Sequence, residues 1–113
     1  MRRLIAILLF LTPALAAERP LTGAEITALL ADRTVAGTDQ NGKPWTQVFQ
    51  KGGLTIYSQG TAVSTGYWRV TGDQYCSQWP PNETWSCYGM TGEGDHATFV
   101  SSSGASYPVT VTP

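Results

Sequence analysis

From Thr34 onward the chain reads as strand and turn, cut repeatedly by turn signals. The signals are Asn41-Gly42, Gly52-Gly53, Gly72-Asp73, Pro80-Pro81-Asn82-Glu83 and Ser103-Gly104-Ala105. The intervening stretches are rich in β-branched and aromatic residues, which suit a pleated, half-buried surface. The spacing predicts a mainly β domain of about eight short antiparallel strands in a meander. Such a chain forms a small barrel or a strongly curled sheet. Residues 60–66 read as a short strand with a bulge, and residues 91–96 as a glycine-rich loop.

Turn chemistry also predicts register. A two-residue turn at Asn41-Gly42 sets Thr38 opposite Trp45 and Val35 opposite Val48. The turn at Gly52-Gly53 then sets Phe49 opposite Ile56 and Val48 opposite Tyr57. On that register Trp45, Phe49, Leu54 and Ile56 share the core face. Val48 and Tyr57 lie opposite it, a hint of a second buried surface such as a homodimer contact. The Gly72-Asp73 turn pairs Val70 with Tyr75 and Trp68 with Ser77. A symmetric tip at residues 80–83 places Cys76 opposite Cys87 and Tyr75 opposite Tyr88. Trp68, Val70, Tyr75, Trp79 and Tyr88 then form the core face, with Tyr67, Arg69, Gln78 and Trp85 on the other side.

One helix precedes the strands. Thr22 fits an N-cap and Glu25 follows three residues later, a capping box that satisfies two otherwise unpaired backbone donors. Leu21 and Ile26 fit a hydrophobic staple, and Ile26, Leu29 and Leu30 make one apolar stripe. About ten residues of helix cannot stand alone and must dock.

At the start, Arg2 and Arg3 precede an unbroken apolar run at residues 4–11, then Thr12-Pro13 and the small-x-small signature Ala14-Leu15-Ala16. That is the pattern of a secretory signal peptide at residues 1–16. The run is far short of the ~20 residues of a membrane span. Residues 17–113 are therefore expected as a single periplasmic or secreted domain with no membrane insertion after cleavage. The seven basic residues less Arg2 and Arg3 leave five against eight acidic ones, a net charge of −3. Such a surface has no general attraction for nucleic acid or anionic lipid. In an oxidising compartment Cys76 and Cys87 are expected to pair, closing a loop of about 12 residues worth about 3 kcal/mol in the chain-entropy model.

Catalytic machinery is thin. His96 stands beside Asp95 and near Glu93 without a recognised ligand spacing, so no metal and no cofactor are expected. Ser101, Ser102 and Ser103 lack a nucleophile elbow. Asp73 and Glu83, like Glu93 and Asp95, sit in predicted turns, poor places for the paired carboxylates of glycoside chemistry. The cysteines lack the Cys-x-x-Cys spacing of redox and haem sites. The aromatic residues are more informative. Trp79 and Trp85 flank the proline tip, and with Tyr67 and Arg69 they supply the residue types that dominate interaction hot spots.

The segments Gly66-Tyr67-Trp68-Arg69-Val70, Asp73-Gln74-Tyr75-Cys76-Ser77-Gln78-Trp79-Pro80 and Trp85-Ser86-Cys87-Tyr88 resemble small secreted proteins of alphaproteobacteria in domain-of-unknown-function families. Similar segments occur as accessory regions beside nucleotide cyclases. The resemblance implies export and a paired-cysteine hairpin, and brings no catalytic or binding residues. In size, compartment and architecture the chain is also similar to bacterial secreted metalloprotease inhibitors, although its cysteine spacing differs. The expectation is a non-enzymatic binding or protein-interaction module with a surface at Tyr67, Arg69, Trp79 and Trp85. The alternatives are a small-ligand carrier with an interior lined by Trp45, Phe49, Trp68 and Tyr75, and a protease inhibitor.

Overall fold

The computed structural model describes residues 18–113; the predicted leader at residues 1–16 lies outside them. The elements are β1 (Arg19–Pro20), α1 (Gly23–Leu30), β2 (Arg33–Thr38), β3 (Pro44–Phe49), β4 (Leu54–Gln59), β5 (Ala62–Thr71), β6 (Gln74–Gln78), β7 (Ser86–Glu93), β8 (His96–Ser101) and β9 (Ser106–Thr112). From β2 to β9 each strand pairs antiparallel with the next, and β9 returns to pair with β2. Eight strands thus close into a barrel, as the turn spacing predicts. The short β1 pairs with Thr91 and Gly92 of β7, continuing the edge that β6 occupies farther up at Tyr88.

Two registers depart from expectation by one residue, for one reason. The Asn41-Gly42 and Gly52-Gly53 signals close three-residue loops rather than two-residue ones. The Asp39 N–H donates to the Lys43 carbonyl at 2.8 Å and the Gln50 N–H to the Leu54 carbonyl at 2.8 Å. Only the last loop residue is left-handed, Gly42 at φ 79° and Gly53 at φ 105°, the geometry of a turn followed by a glycine bulge. Consequently Gly37, not Thr38, faces Trp45, and Val35 faces Gln47. Phe49 faces Thr55, and Val48 faces Ile56. The slip exchanges faces on β4. Thr55 is buried, whereas Leu54 is 39% exposed. Tyr57 shares the inward face with Thr55, so it does not join Val48 in an outer patch.

The Gly72-Asp73 turn is a true two-residue turn, and its pairs Val70–Tyr75 and Trp68–Ser77 stand as expected. So do Tyr75–Tyr88 and Cys76–Cys87. Residues 60–66 hold no bulge: Gly60-Thr61 is a tight turn, and β5 starts at Ala62. The glycine-rich loop shrinks to Gly94-Asp95, because β7 runs to Glu93 and β8 starts at His96.

Helix α1 carries the complete capping box: the Thr22 hydroxyl accepts from the Glu25 N–H and the Glu25 carboxylate from the Thr22 N–H. Its first N–H, on Gly23, donates to Asp73 Oδ1 at 2.8 Å, tying the helix to the β5–β6 turn. Ile26 and Leu30 are fully buried in one core cluster with Val35, Phe49, Trp68, Met90, Ala97 and Val111. The helix therefore stoppers one end of the barrel. The Cys76–Cys87 disulfide lies on the wall as a direct cross-strand link with Cα atoms 4.0 Å apart.

Two outcomes follow. Replacing both Cys76 and Cys87 with serine should cost about 3 kcal/mol. In a thermal melt that amounts to a fall of about 10–20 °C for a domain this size. Second, Arg19 donates to Glu25 at 2.7 Å, and with the Thr22 N–H it holds the Glu25 carboxylate at about 2, below its usual 4.5. A depressed carboxylate stabilises the fold above its unfolded value and loses that contribution as pH falls through its folded value. Stability measured from pH 4.5 down to about 2 should fall less steeply in Glu25→Gln than in the parent.

Candidate functional site at the barrel mouth

Strand alternation sends Trp45, Gln47 and Phe49 inward from β3, Thr55 and Tyr57 from β4, and Tyr75 and Ser77 from β6. Tyr88 and Phe99 follow from β7 and β8. Near α1 these side chains fill the interior: Phe49 meets Trp68 edge-on at 5.4 Å between centroids and Tyr75 at 5.5 Å. At the opposite end the filling stops. A cleft of about 590 Å³ opens there between Gln47, Tyr57, Ser64, Tyr75, Ser77, Trp79 and Tyr88. A smaller recess of about 130 Å³ adjoins it, between Trp45, Gln47, Tyr88, Phe99 and Tyr107.

A polar thread runs along the cleft floor. Thr55 Oγ1 donates to the Val48 carbonyl at 2.9 Å, so it can only accept from Gln47, at 2.9 Å. That fixes which end of the Gln47 amide is nitrogen. The same nitrogen donates to the Tyr75 hydroxyl at 3.1 Å. The Gln47 carbonyl oxygen accepts no bond from the described residues, although the side chain is only 7% exposed. Burial pushes the Tyr75 phenol above its ordinary value, opposed by hydrogen bonds from Ser77 and Gln47. Burial, then Asp39, raises Tyr57 as well. Both phenols are neutral at physiological pH, and no residue lining the cleft carries a charge.

Two tryptophans hold the rim, and each is seated on a glycine of the neighbouring strand. A Cβ on Gly37 would lie 2.7 Å from the Trp45 ring, and one on Gly66 would lie 2.7 Å from the Trp79 ring and 2.5 Å from the Gln78 carbonyl. Trp79 also donates to Ser77 Oγ at 3.2 Å. Tyr57 stands between them, stacked on Trp45 at 5.4 Å and edge-on to Trp79 at 6.4 Å.

The residues singled out from sequence divide between two places. Trp79 belongs to the cleft. Tyr67, Arg69 and Trp85 lie on the outer wall, where the Arg69 guanidinium stacks 3.9 Å above the Trp85 ring. Because β6 runs between Arg69 and Trp85, their contact roofs that strand, and Cys76 beneath is fully buried. Trp45 and Tyr75 line the cleft openings, whereas Phe49 and Trp68 are packing in the filled half. His96 and Asp95 approach to 3.5 Å on the surface, both 69% exposed. Among the described residues no group of three His, Cys, Asp or Glu is placed to hold a metal. Sequence reasoning missed Gln47 and Tyr57. The glycines inside β2 and β5, which mark close approach of a bulky group, signal the rim tryptophans Trp45 and Trp79 rather than these two residues.

Substitution tests this seating. Gly66→Ala should destabilise the domain by about 1–3 kcal/mol and shift Trp79, read by thermal melting and near-ultraviolet dichroism. Gly89→Ala, where the nearest atom is 4.0 Å away, should change stability by less than about 1 kcal/mol. Comparison of the chain with protein-family models, with curated proteins and with solved structures gives no match.

Proposed function

We propose that the protein is a non-enzymatic binding module, periplasmic or secreted, whose barrel mouth receives a small uncharged group. The observation that carries this reading is the cleft itself: aromatic walls, an uncharged lining and a buried carbonyl with no partner among the described residues. Ring faces offer apolar contact, while the hydroxyls and the amide orient a ligand, a combination typical of small-molecule sites. Its volume falls within the ~300–1,000 Å³ of such sites. The disulfide fits the oxidising compartment of the proposal, and no helix among the described residues is long and apolar enough to cross a membrane.

The outer wall is the weaker candidate. Arg69 and Trp85 are already engaged with each other, so a partner would have to displace that contact before using either as an anchor.

Uncharged ring probes provide the test: indole, p-cresol and methyl β-glucopyranoside at about 10 mM, above the ~1 mM dissociation constants of a few ring contacts. In a ¹⁵N-correlated spectrum the indole N–H resonances of Trp79 and Trp45 should move. That of Trp68, bonded to the Gln50 carbonyl at 2.8 Å in the filled half, should stay. Trp79→Leu should abolish the response. If no probe moves the rim tryptophans selectively, the mouth is not the binding site.

A further inference from the structure

The cleft has an open side. Strand β5 pairs with β4 along residues 62–67, but β6 reaches only to Gln78, opposite Tyr67. Continuing that register would set Pro80 opposite Thr65. Proline has no N–H to give and ends the ladder, and the chain turns away with the Asn82 N–H bonded to the Trp79 carbonyl at 2.9 Å. The upper half of β5 is thus a free strand edge. Val63, Ser64 and Thr65 are all exposed, Val63 to 62%.

Which backbone groups face that edge follows from the hairpin. The two-residue Gly60-Thr61 turn makes Gln59 and Ala62 a hydrogen-bonded pair, and alternation makes Tyr57 and Ser64 the next. The Trp68 N–H, of the same parity, points to β4 as required, bonding the Gly53 carbonyl at 2.9 Å. The N–H and C=O groups of Val63 and Thr65 therefore point away from β4, and no backbone partner among the described residues meets them. Three consecutive residues of β5 line the cleft together with Trp79 and Pro80. Alternating side chains alone would place every second residue there, so the strand's edge forms part of the wall.

We infer that an extended peptide segment adds to this edge antiparallel, taking the place that β6 leaves, and delivers one uncharged side chain into the cleft. The spacing dictates the geometry. Peptide residues opposite Val63 and Thr65 exchange hydrogen bonds with them and turn their side chains outward. The residue between, opposite Ser64, shares the face of Ser64, which looks inward with Tyr57. Main-chain bonds provide affinity and the aromatic cup selects the side chain, the logic of strand addition. The inference rests on the mouth being a binding cup and names its occupant as a side chain carried on extended backbone.

The experiment selects random linear nonapeptides displayed on phage against the purified protein, then synthesises the tightest binder. Expected on binding is hydrogen-exchange protection of the Val63 and Thr65 amides, with the Ser64 amide, already paired to β4, unchanged. N-methylation of the peptide residue that pairs with Val63 or Thr65 should weaken binding about tenfold. Thr65→Pro should do the same, since proline is tolerated on an unpaired edge; the N-methylated peptides answer the question independently should that variant fold poorly. Failure to select a peptide, or selected peptides that leave both amides unprotected and tolerate N-methylation, overturns the inference. Selective movement of Trp79 by indole or the glucoside would then leave the cup reading standing, whereas loss of that response too would remove both.

Discussion

The barrel hangs on one short ladder between its two ends, where Thr34, Val35 and Ala36 lie opposite Thr112, Val111 and Thr110. Every other strand pair of the barrel itself is local and could form in an open, twisting sheet. Only this one turns the sheet into a tube and gives the alternating residues an inside. Its entropic cost grows slowly with the length of chain enclosed, and the return comes at once. Val35 and Val111 meet across the seam, and behind them lie Ile26 and Leu30 of α1. Loss of the seam would expose the strand edges and the helix's apolar face together.

Inside that tube the two halves obey different packing rules. Near the helix, Phe49, Trp68, Met90 and Phe99 interlock with aliphatic groups in a dry core. Toward the mouth, the side chains are long rings tipped with hydroxyl or N–H groups, which pack on one side and seek polar partners on the other. Gln47 lies at the boundary. Its amide nitrogen serves the core-side network through Thr55 and Tyr75, and its oxygen is left to the cleft. Eight-stranded barrels are narrow enough that side chains commonly fill them. Here the departure of β6 at Pro80 removes a stretch of wall and keeps one end from closing.

How much of this was legible depended on turn length. Gly72-Asp73 and the cysteine hairpin yielded correct partners because those connections place no extra residue between the strands. Asn41-Gly42 and Gly52-Gly53 looked equally plain, but a glycine in the left-handed region suits either a two-residue turn or the end of a three-residue loop. At the first loop the choice is made by Asp39, whose carboxylate accepts from the N–H groups of Asn41 and Lys43 at 2.8 and 2.9 Å. That local bond was not weighed in sequence. The matching one-residue slip at Gly52-Gly53 hid Tyr57 from the list of inward residues, whereas Gln47 lies on the face already assigned to Trp45 and Phe49. Trp79 was visible as an aromatic of interest, and its inward face was correctly read. Its separation from Arg69 and Trp85 became clear only with barrel closure.

The stopper comes from the beginning of the domain and the closing strand from its end. In biosynthesis this makes the domain an all-or-nothing product. A chain truncated before β9 would have β2 and β8 as bare edges, and its helix would face a groove lacking Val109 and Val111. Such intermediates are templates for aggregation, so the chain is safest kept extended until its last strand is available. The feature that completes the cleft's scaffold therefore also sets when in the life of the chain that cleft can first exist.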